Sequence, residues 1–305
     1  MIANLYIISE SFIQNSFFSK EEIEERIELL AQDYSYIRLY KDNNRLYVNY
    51  NIYNIPFLNS LSIQELLYDK DKKEYLDRDA RNALAQIIEM SEETTLNFDQ
   101  IKELLSIVNE NLCHGVIAFN ELTEIDSENQ IIYNTKKWLE FRRHYLSQYP
   151  KDPNYFIEEC KIYFPKLFFH ENNKVAIKSI LSDCSIKIIY HLTALNDNFK
   201  NSQERSLANG ETNRQQVLEN FSRENRLDEI ASLEGNPKRK NEMSFFFLKE
   251  DTNTKTKICC EPHIKLPFKD KDDGSYSTNR RIYFHEGVKY IAEGRVLIGH
   301  IGNHL

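Results

Sequence analysis

The chain has 305 residues, 41% of them hydrophobic and 28% charged, enough for one large domain or two of ordinary size around a buried core. Only eight Gly and seven Pro argue against a fibrous or disordered chain, and no apolar run approaches the roughly eighteen residues of a membrane span. The net charge of −8 is uneven: residues 255–305 hold nine Lys/Arg against six Asp/Glu, a balance of +3 that leaves −11 on the preceding 254 residues. A basic segment on an acidic body points to a polyanionic partner, because charge steers encounter.

In chain order, MIANLYIISESFIQ lacks the basic start and long apolar stretch of a signal peptide. Five cysteines, an odd number at irregular spacing, fit reduced thiols and a cytoplasmic protein. Ser19 with Glu22 reads as a capping box opening a helix over 20–32, with Ile23, Ile27 and Leu30 on its apolar face. YIRLYKDNNRLYVNY (36–50) reads as a β-hairpin around Asp42-Asn43-Asn44. Helices are expected around 62–69, 77–90 and from Asn97 to about 111, then a strand at 115–119 and another at 131–134. The helix after Thr135 carries Trp138, Phe141 and Tyr145 on one face, with Arg142 and Arg143 read as a solvated face. Asp152-Pro153 opens a helix to about Tyr163. Pro150 and Pro153 mark the expected junction between a domain over 1–150, sensing or neutralising in role, and a second over 160–305.

Beyond Pro165 the pattern predicts a strand at 166–170, a helix over 174–199, a polar loop, a second helix over 213–233, then strands at 243–248, 257–266, 280–286 and 295–301. The fold class expected is α+β: a mostly helical N-terminal domain with a hairpin, and a C-terminal β-α-α-β-β-β domain.

The last strands concentrate chemistry. Residues two apart on a strand share a face, so Glu261, His263 and Lys265 point one way. Arg281, Tyr283 and His285 do likewise, as do His300, Gly302 and His304. Alternate positions, among them Ile264, Ile282, Phe284, Leu297 and Ile301, face helices. Histidine suits proton transfer near neutral pH, and the planar fork of arginine suits a phosphate. On this reading His304 is general acid or base and His263 its counterpart. Arg281, with Arg280 as alternate, holds the scissile phosphate. Glu261 is the base or orients His263, and Lys265, Tyr283, His285 and His300 support RNA binding.

Three segments, Glu261-Pro262-His263-Ile264, Arg281-Ile282-Tyr283-Phe284 and the terminal Gly302-Asn303-His304-Leu305, together with the element order, resemble the YafQ-type branch of the RelE/ParE superfamily of bacterial toxins. The resemblance covers about 165–305. It implies a curved antiparallel sheet and a metal-independent endoribonuclease of a toxin–antitoxin or phage-defence system. It also implies RNA as partner, on the ribosome in that family, and an antitoxin or regulatory protein, with no cofactor. The modest +3 charge, the N-terminal region and the vicinal Cys259–Cys260 depart from the family. Two other readings stay open: a non-enzymatic binding or regulatory module with a degenerate toxin-like domain, and a metal-dependent nuclease, for which Glu261 and Lys265 are too widely spaced.

Overall fold

In the computed structural model, which describes residues 1–13, 18–269 and 275–305, the first apolar run becomes the centre of a parallel sheet. Four charged residues of the basic tail, at 270–273, lie outside the described residues. The chain divides into two units, Met1–Tyr145 and Leu146–Leu305. Among the described residues no helix is long and apolar enough to cross a membrane.

The first unit runs β1 (Ile2–Ile7), α1 (Lys20–Arg38), β2 (Asn44–Val48), β3 (Pro56–Leu58), β4 (Leu61–Ser62), α2 (Ile63–Tyr68) and α3 (Arg78–Glu89). It continues through β5 (Glu92–Glu93), α4 (Phe98–Leu105), β6 (Leu112–Ile117) and β7 (Ile131–Ile132) into α5 (Thr135–Gln148). Five strands form one sheet in the order β5-β2-β1-β6-β7, every neighbouring pair parallel. A parallel sheet is covered on both faces, so its strands read as nearly unbroken apolar runs. Leu5, Tyr6 and Ile7 of β1 and Cys113, Val116 and Ile117 of β6 are all buried.

This corrects the expectation of a mostly helical region with a hairpin at 36–50. The capping box of Ser19 and Glu22 forms, but the helix it opens runs on to Arg38, burying Tyr34 and Ile37. The chain then turns, and β2 pairs in parallel with β1 instead of folding back on residues 36–41. The β-forming residues there were helix residues held by tertiary packing, which overrides local propensity.

Trp138 of α5 shows that packing. It is fully buried, stacked on Tyr40 at 5.4 Å and edge-on to Tyr36 at 5.8 Å, and its Nε1 donates to Asn44 Oδ1. Trp138→Ala is expected to lower the unfolding free energy by about 3–5 kcal/mol, measured by denaturant titration. Arg142 and Arg143 are buried, not solvated; Arg142 donates to the carbonyls of Met1 and Asn43.

The second unit contains α6 (Pro153–Tyr163), β8 (Leu167–Phe169), α7 (Asn173–Ala176), α8 (Leu181–Ala208) and α9 (Arg214–Glu224). The hairpin β9 (Ser244–Leu248) and β10 (Lys255–Cys259) comes next. Then follow β11 (His263–Lys265), β12 (Phe268–Lys269), β13 (Tyr276–Ser277), β14 (Arg280–His285) and β15 (Val296–Asn303). The main sheet has the order β11-β14-β15-β8; β11, β14 and β15 are antiparallel neighbours and β8 runs parallel to β15. One face packs on helices, with Phe284 edge-on to Phe199 and Phe199 edge-on to Phe221.

Three local differences from the predicted elements shape the other face. Helix α8 continues to Ala208 through the stretch read as a loop, because its buried Ser202 and Ser206 meet Glu224 and Asn220 of α9. The expected strand at 257–266 is two strands. Pro262 has no N–H to give a ladder, and the chain breaks between Cys259 and His263. Finally, the register of β14 on β15 shifts between Tyr283 and Phe284, so Phe284 pairs with Ile298 and Gly299 is the extra residue. A side chain at Gly299 would meet the Phe245 ring at 2.6 Å. The bulge turns Leu297 away from the helices into a cluster with Tyr283, Met243 and Phe247.

Candidate functional site

Across β11, β14 and β15 the register builds rows of side chains. His263, Tyr283 and His300 are aligned, and beside them Lys265, Arg281 and Gly302. The His304 amide donates to the Asn279 carbonyl, extending the strand by one step. Tyr283 is fully buried and three imidazoles surround its ring: His263 at 5.2 Å, His300 at 5.8 Å and His304 at 6.4 Å between centroids. Sequence alternation thus foresaw six residues that the sheet brings together.

The bonding of each imidazole fixes its protons. His263 Nδ1 lies 3.3 Å from the Glu261 carbonyl, which can only accept, so Nδ1 carries a proton, and Nε2 lies 3.2 Å from Ser232 Oγ, which can donate to it. His300 Nε2 donates to the Asn303 carbonyl at 2.9 Å, and Nδ1 accepts from Asn172 Nδ2. His304 Nδ1 faces the Leu305 carbonyl and the Tyr283 hydroxyl, and Nε2 accepts from Arg239 Nη1 at 3.1 Å. The patterns of His300 and His304, each with one nitrogen facing a donor, are those of neutral rings. Burial agrees: it pushes His263 down to about 4 and lowers His300. It also lowers His304, where the Arg281 and Arg239 cations add to the effect.

His263 and His300 are buried, while His304 is half-buried. The first two therefore hold the sheet and loops together; only His304 presents an imidazole toward solvent. Gly302 leaves room for this arrangement, since a Cβ there would lie 2.7 Å from His300 Nε2 and 2.9 Å from the Ala176 carbonyl.

Arg281 is the other distinctive group. Its Nε and Nη1 are buried with no hydrogen-bond partner, and Lys265 stands directly opposite on β11. Like charges in register oppose each other, and each buried unpaired donor costs about 1–3 kcal/mol. Burial lowers the Arg281 pKa, and Arg239 adds to it.

Four expectations are corrected. Glu261 lies off the strand, and its carboxylate pairs with Lys240 at 2.9 Å and Arg214 at 3.6 Å instead of orienting His263; only its carbonyl reaches that ring. Arg280 lies on the helix-facing side, paired with Asp183 at 3.2 Å, donating to Cys184 Sγ and stacked 3.6 Å over Phe268. His285 sits beyond the bulge, accepting from the Gly287 amide beside Glu286. Tyr283 is too buried to touch RNA and instead positions the imidazoles.

Sequence reasoning missed Arg239, from a short 3-10 helix at 237–241, Ser232, which bridges to His263, and Asn172, from the turn before α7. The run Pro237-Lys238-Arg239-Lys240 was the available signal for Arg239. Cys260 is buried and Cys259 half-buried, both as free thiols. Among the described residues no group of three His, Cys, Asp or Glu is arranged to hold one metal ion.

The buried rings make stability pH-dependent. A ring with a depressed folded-state pKa binds its proton mainly after unfolding, so stability is full above pH 6.5 and falls as pH drops toward 4. For His263 the loss is at most about 3 kcal/mol. His191 on α8, fully buried, with neither nitrogen hydrogen-bonded and Asp228 3.9 Å from Nε2, is also pushed down to about 4 by burial. Urea unfolding at pH 7.5 and 5 is expected to show this loss, and His191→Leu to reduce proton uptake on unfolding by about one.

Comparison with known proteins gave no matching family model, no similar curated protein and no similar solved structure.

Proposed function

We propose that this sheet face binds and cleaves RNA, and that the chain is a toxin-like cytoplasmic endoribonuclease of a bacterial toxin–antitoxin or phage-defence system. The observation that carries the reading is Arg281: two buried N–H groups with no acceptor, facing Lys265. A phosphate diester supplies the missing acceptor, and its charge adds to that of Glu234, which already acts on Arg281. Further support comes from the succession of β8, α8, α9 and the main-sheet strands β11, β14 and β15, with α7 and the pairs β9–β10 and β12–β13 set between them, and from Gly302-Asn303-His304, features of the toxin resemblance.

The chemistry follows from the placement. Phosphate binding draws Arg239 from His304 Nε2 to a non-bridging oxygen and frees the imidazole lone pair. Neutral His304 takes the 2′-hydroxyl proton as O2′ bonds to phosphorus. Arg281 and Arg239 stabilise the pentavalent phosphorane. The P–O5′ bond breaks, and the Lys265 ammonium protonates the leaving oxygen. The products are a 2′,3′-cyclic phosphate and a 5′-hydroxyl.

A second reading, RNA binding without cleavage, is favoured by the structural hydrogen bonds that occupy His263 and His300. Expression in a bacterial host separates the two. Growth arrest with RNA loss, relieved by His304→Ala, supports cleavage. RNA that co-purifies intact with the wild-type chain, without arrest, supports binding alone.

A further inference from the structure

The first unit has a cavity of about 930 Å³ at the carboxyl ends of β6 and β7, with α1 as one wall. Its size falls in the range of small-molecule sites. In open parallel sheets ligands bind outside the carboxyl ends of the strands, where the strand order reverses. Here the order reverses between β1 and β6, and the cavity lies beside that point, at the carboxyl ends of β6 and β7. The walls are mixed: Leu30, Phe119, Leu122, Ile125, Ile131 and Tyr133 give an apolar part, and charged and polar side chains line the rest. The Tyr133 hydroxyl accepts from the Leu122 amide and ties the loop after β6 to the end of β7.

Arg26 supplies a polar anchor. Its guanidinium lies over the Phe18 ring at 4.5 Å and the Phe119 ring at 5.1 Å, and Nη2 donates to the Phe119 carbonyl. Nη1 is buried with no partner. A held cation with one unused donor on a cavity wall lacks an anionic acceptor. The opposite charge is also present: Glu121, Asp126 and Glu128 line the cavity and favour hydrogen-bond donors, whereas Asp33 is occupied by Thr135. Lys137, the other cation of the lining, is paired with Glu140 at 2.9 Å, so the three carboxylates set the charge and oppose a polyphosphate. So does the start of α1, where Ser19 and Glu22 already fill the capping positions and Glu21 adds negative charge.

We propose that this cavity binds a small molecule with one acidic group, a flat ring and several hydrogen-bond donors, the chemistry shared by nucleoside monophosphates and aromatic amino acids. The acidic group meets Arg26 Nη1, the ring lies between Phe119 and Ile125, and the donors face the carboxylates. The site is independent of the RNA reading.

Isothermal titration of the full chain tests it, with the four ribonucleoside 5′-monophosphates in one arm and Phe, Tyr and Trp in the other. ATP serves as the polyphosphate control. One arm is expected to bind at one molecule per chain and ATP at least about tenfold more weakly. Arg26→Gln is expected to cost at least about tenfold in affinity. Ile125→Trp, which leaves Arg26 in place and puts bulk where the ring is placed, is expected to weaken binding at least about tenfold, and it carries the test should Arg26→Gln not fold. No binding in either arm, equal binding of ATP, or binding unchanged in the folded variants would overturn the proposal.

Discussion

Replacing His304 by Gln is expected to lower RNA cleavage by about 10²- to 10⁴-fold, the contribution of a positioned general base, while the fold survives. Glutamine can still accept from Arg239 and donate to the Leu305 carbonyl, so the structural contacts of His304 are largely kept. What it cannot do is take a proton. The loss should fall on kcat, with RNA affinity nearly unchanged, and a purely structural histidine would not give that split. The pH profile supplies a second check. Burial and two cations hold the imidazole below the usual histidine value, so kcat/KM should rise with pH through a midpoint below 6.5. A bound phosphate opposes those cations, so the midpoint of kcat should lie higher than that of kcat/KM.

Arg281→Met is expected to reduce cleavage at least about 100-fold and at the same time to leave stability unchanged or raise it. A cation that held the sheet together would behave in the opposite way. Here the side chain has two buried N–H groups without partners and stands opposite Lys265. An apolar side chain of similar length removes both penalties. Removing this positive charge should also move the acidic limb of kcat/KM upward, toward pH 6.5, because Arg281 helps to depress the His304 pKa. Arg281→Lys should restore the charge but not the two-pronged grip, and recover only part of the activity. Thermal melts of the variants and their initial rates on one RNA are sufficient measurements.

Much of the local structure was legible because it is written in short-range chemistry. Ser19 with Glu22 and Asp152 with Pro153 both form the caps read from the sequence. The parallel sheet was not legible. The choice of β1 and β5 as partners for β2 is made by contacts distant in sequence, and the aromatic residues at the end of α1 fit a strand equally well in isolation. In the site, alternation sufficed for His263, Tyr283 and His300, and for Lys265 and Arg281, because β11, β14 and β15 keep register there. It failed at the two interruptions. Pro262 took Glu261 off its strand, and the bulge at Gly299 put Leu297 on the other face. Arg239, Ser232 and Asn172 arrive from a short 3-10 helix, an isolated bridge and a turn, which no periodicity describes.

The central claim is that His304 and Arg281 surround one ribose-phosphate linkage. Its most direct test is the chemistry of the RNA ends produced by the purified full chain, with and without ribosomes and with chelator present. New 2′,3′-cyclic phosphate and 5′-hydroxyl ends, absent with His304→Gln, are expected. Intact RNA in every condition, or the same ends at the same rate from the His304→Gln variant, would contradict it.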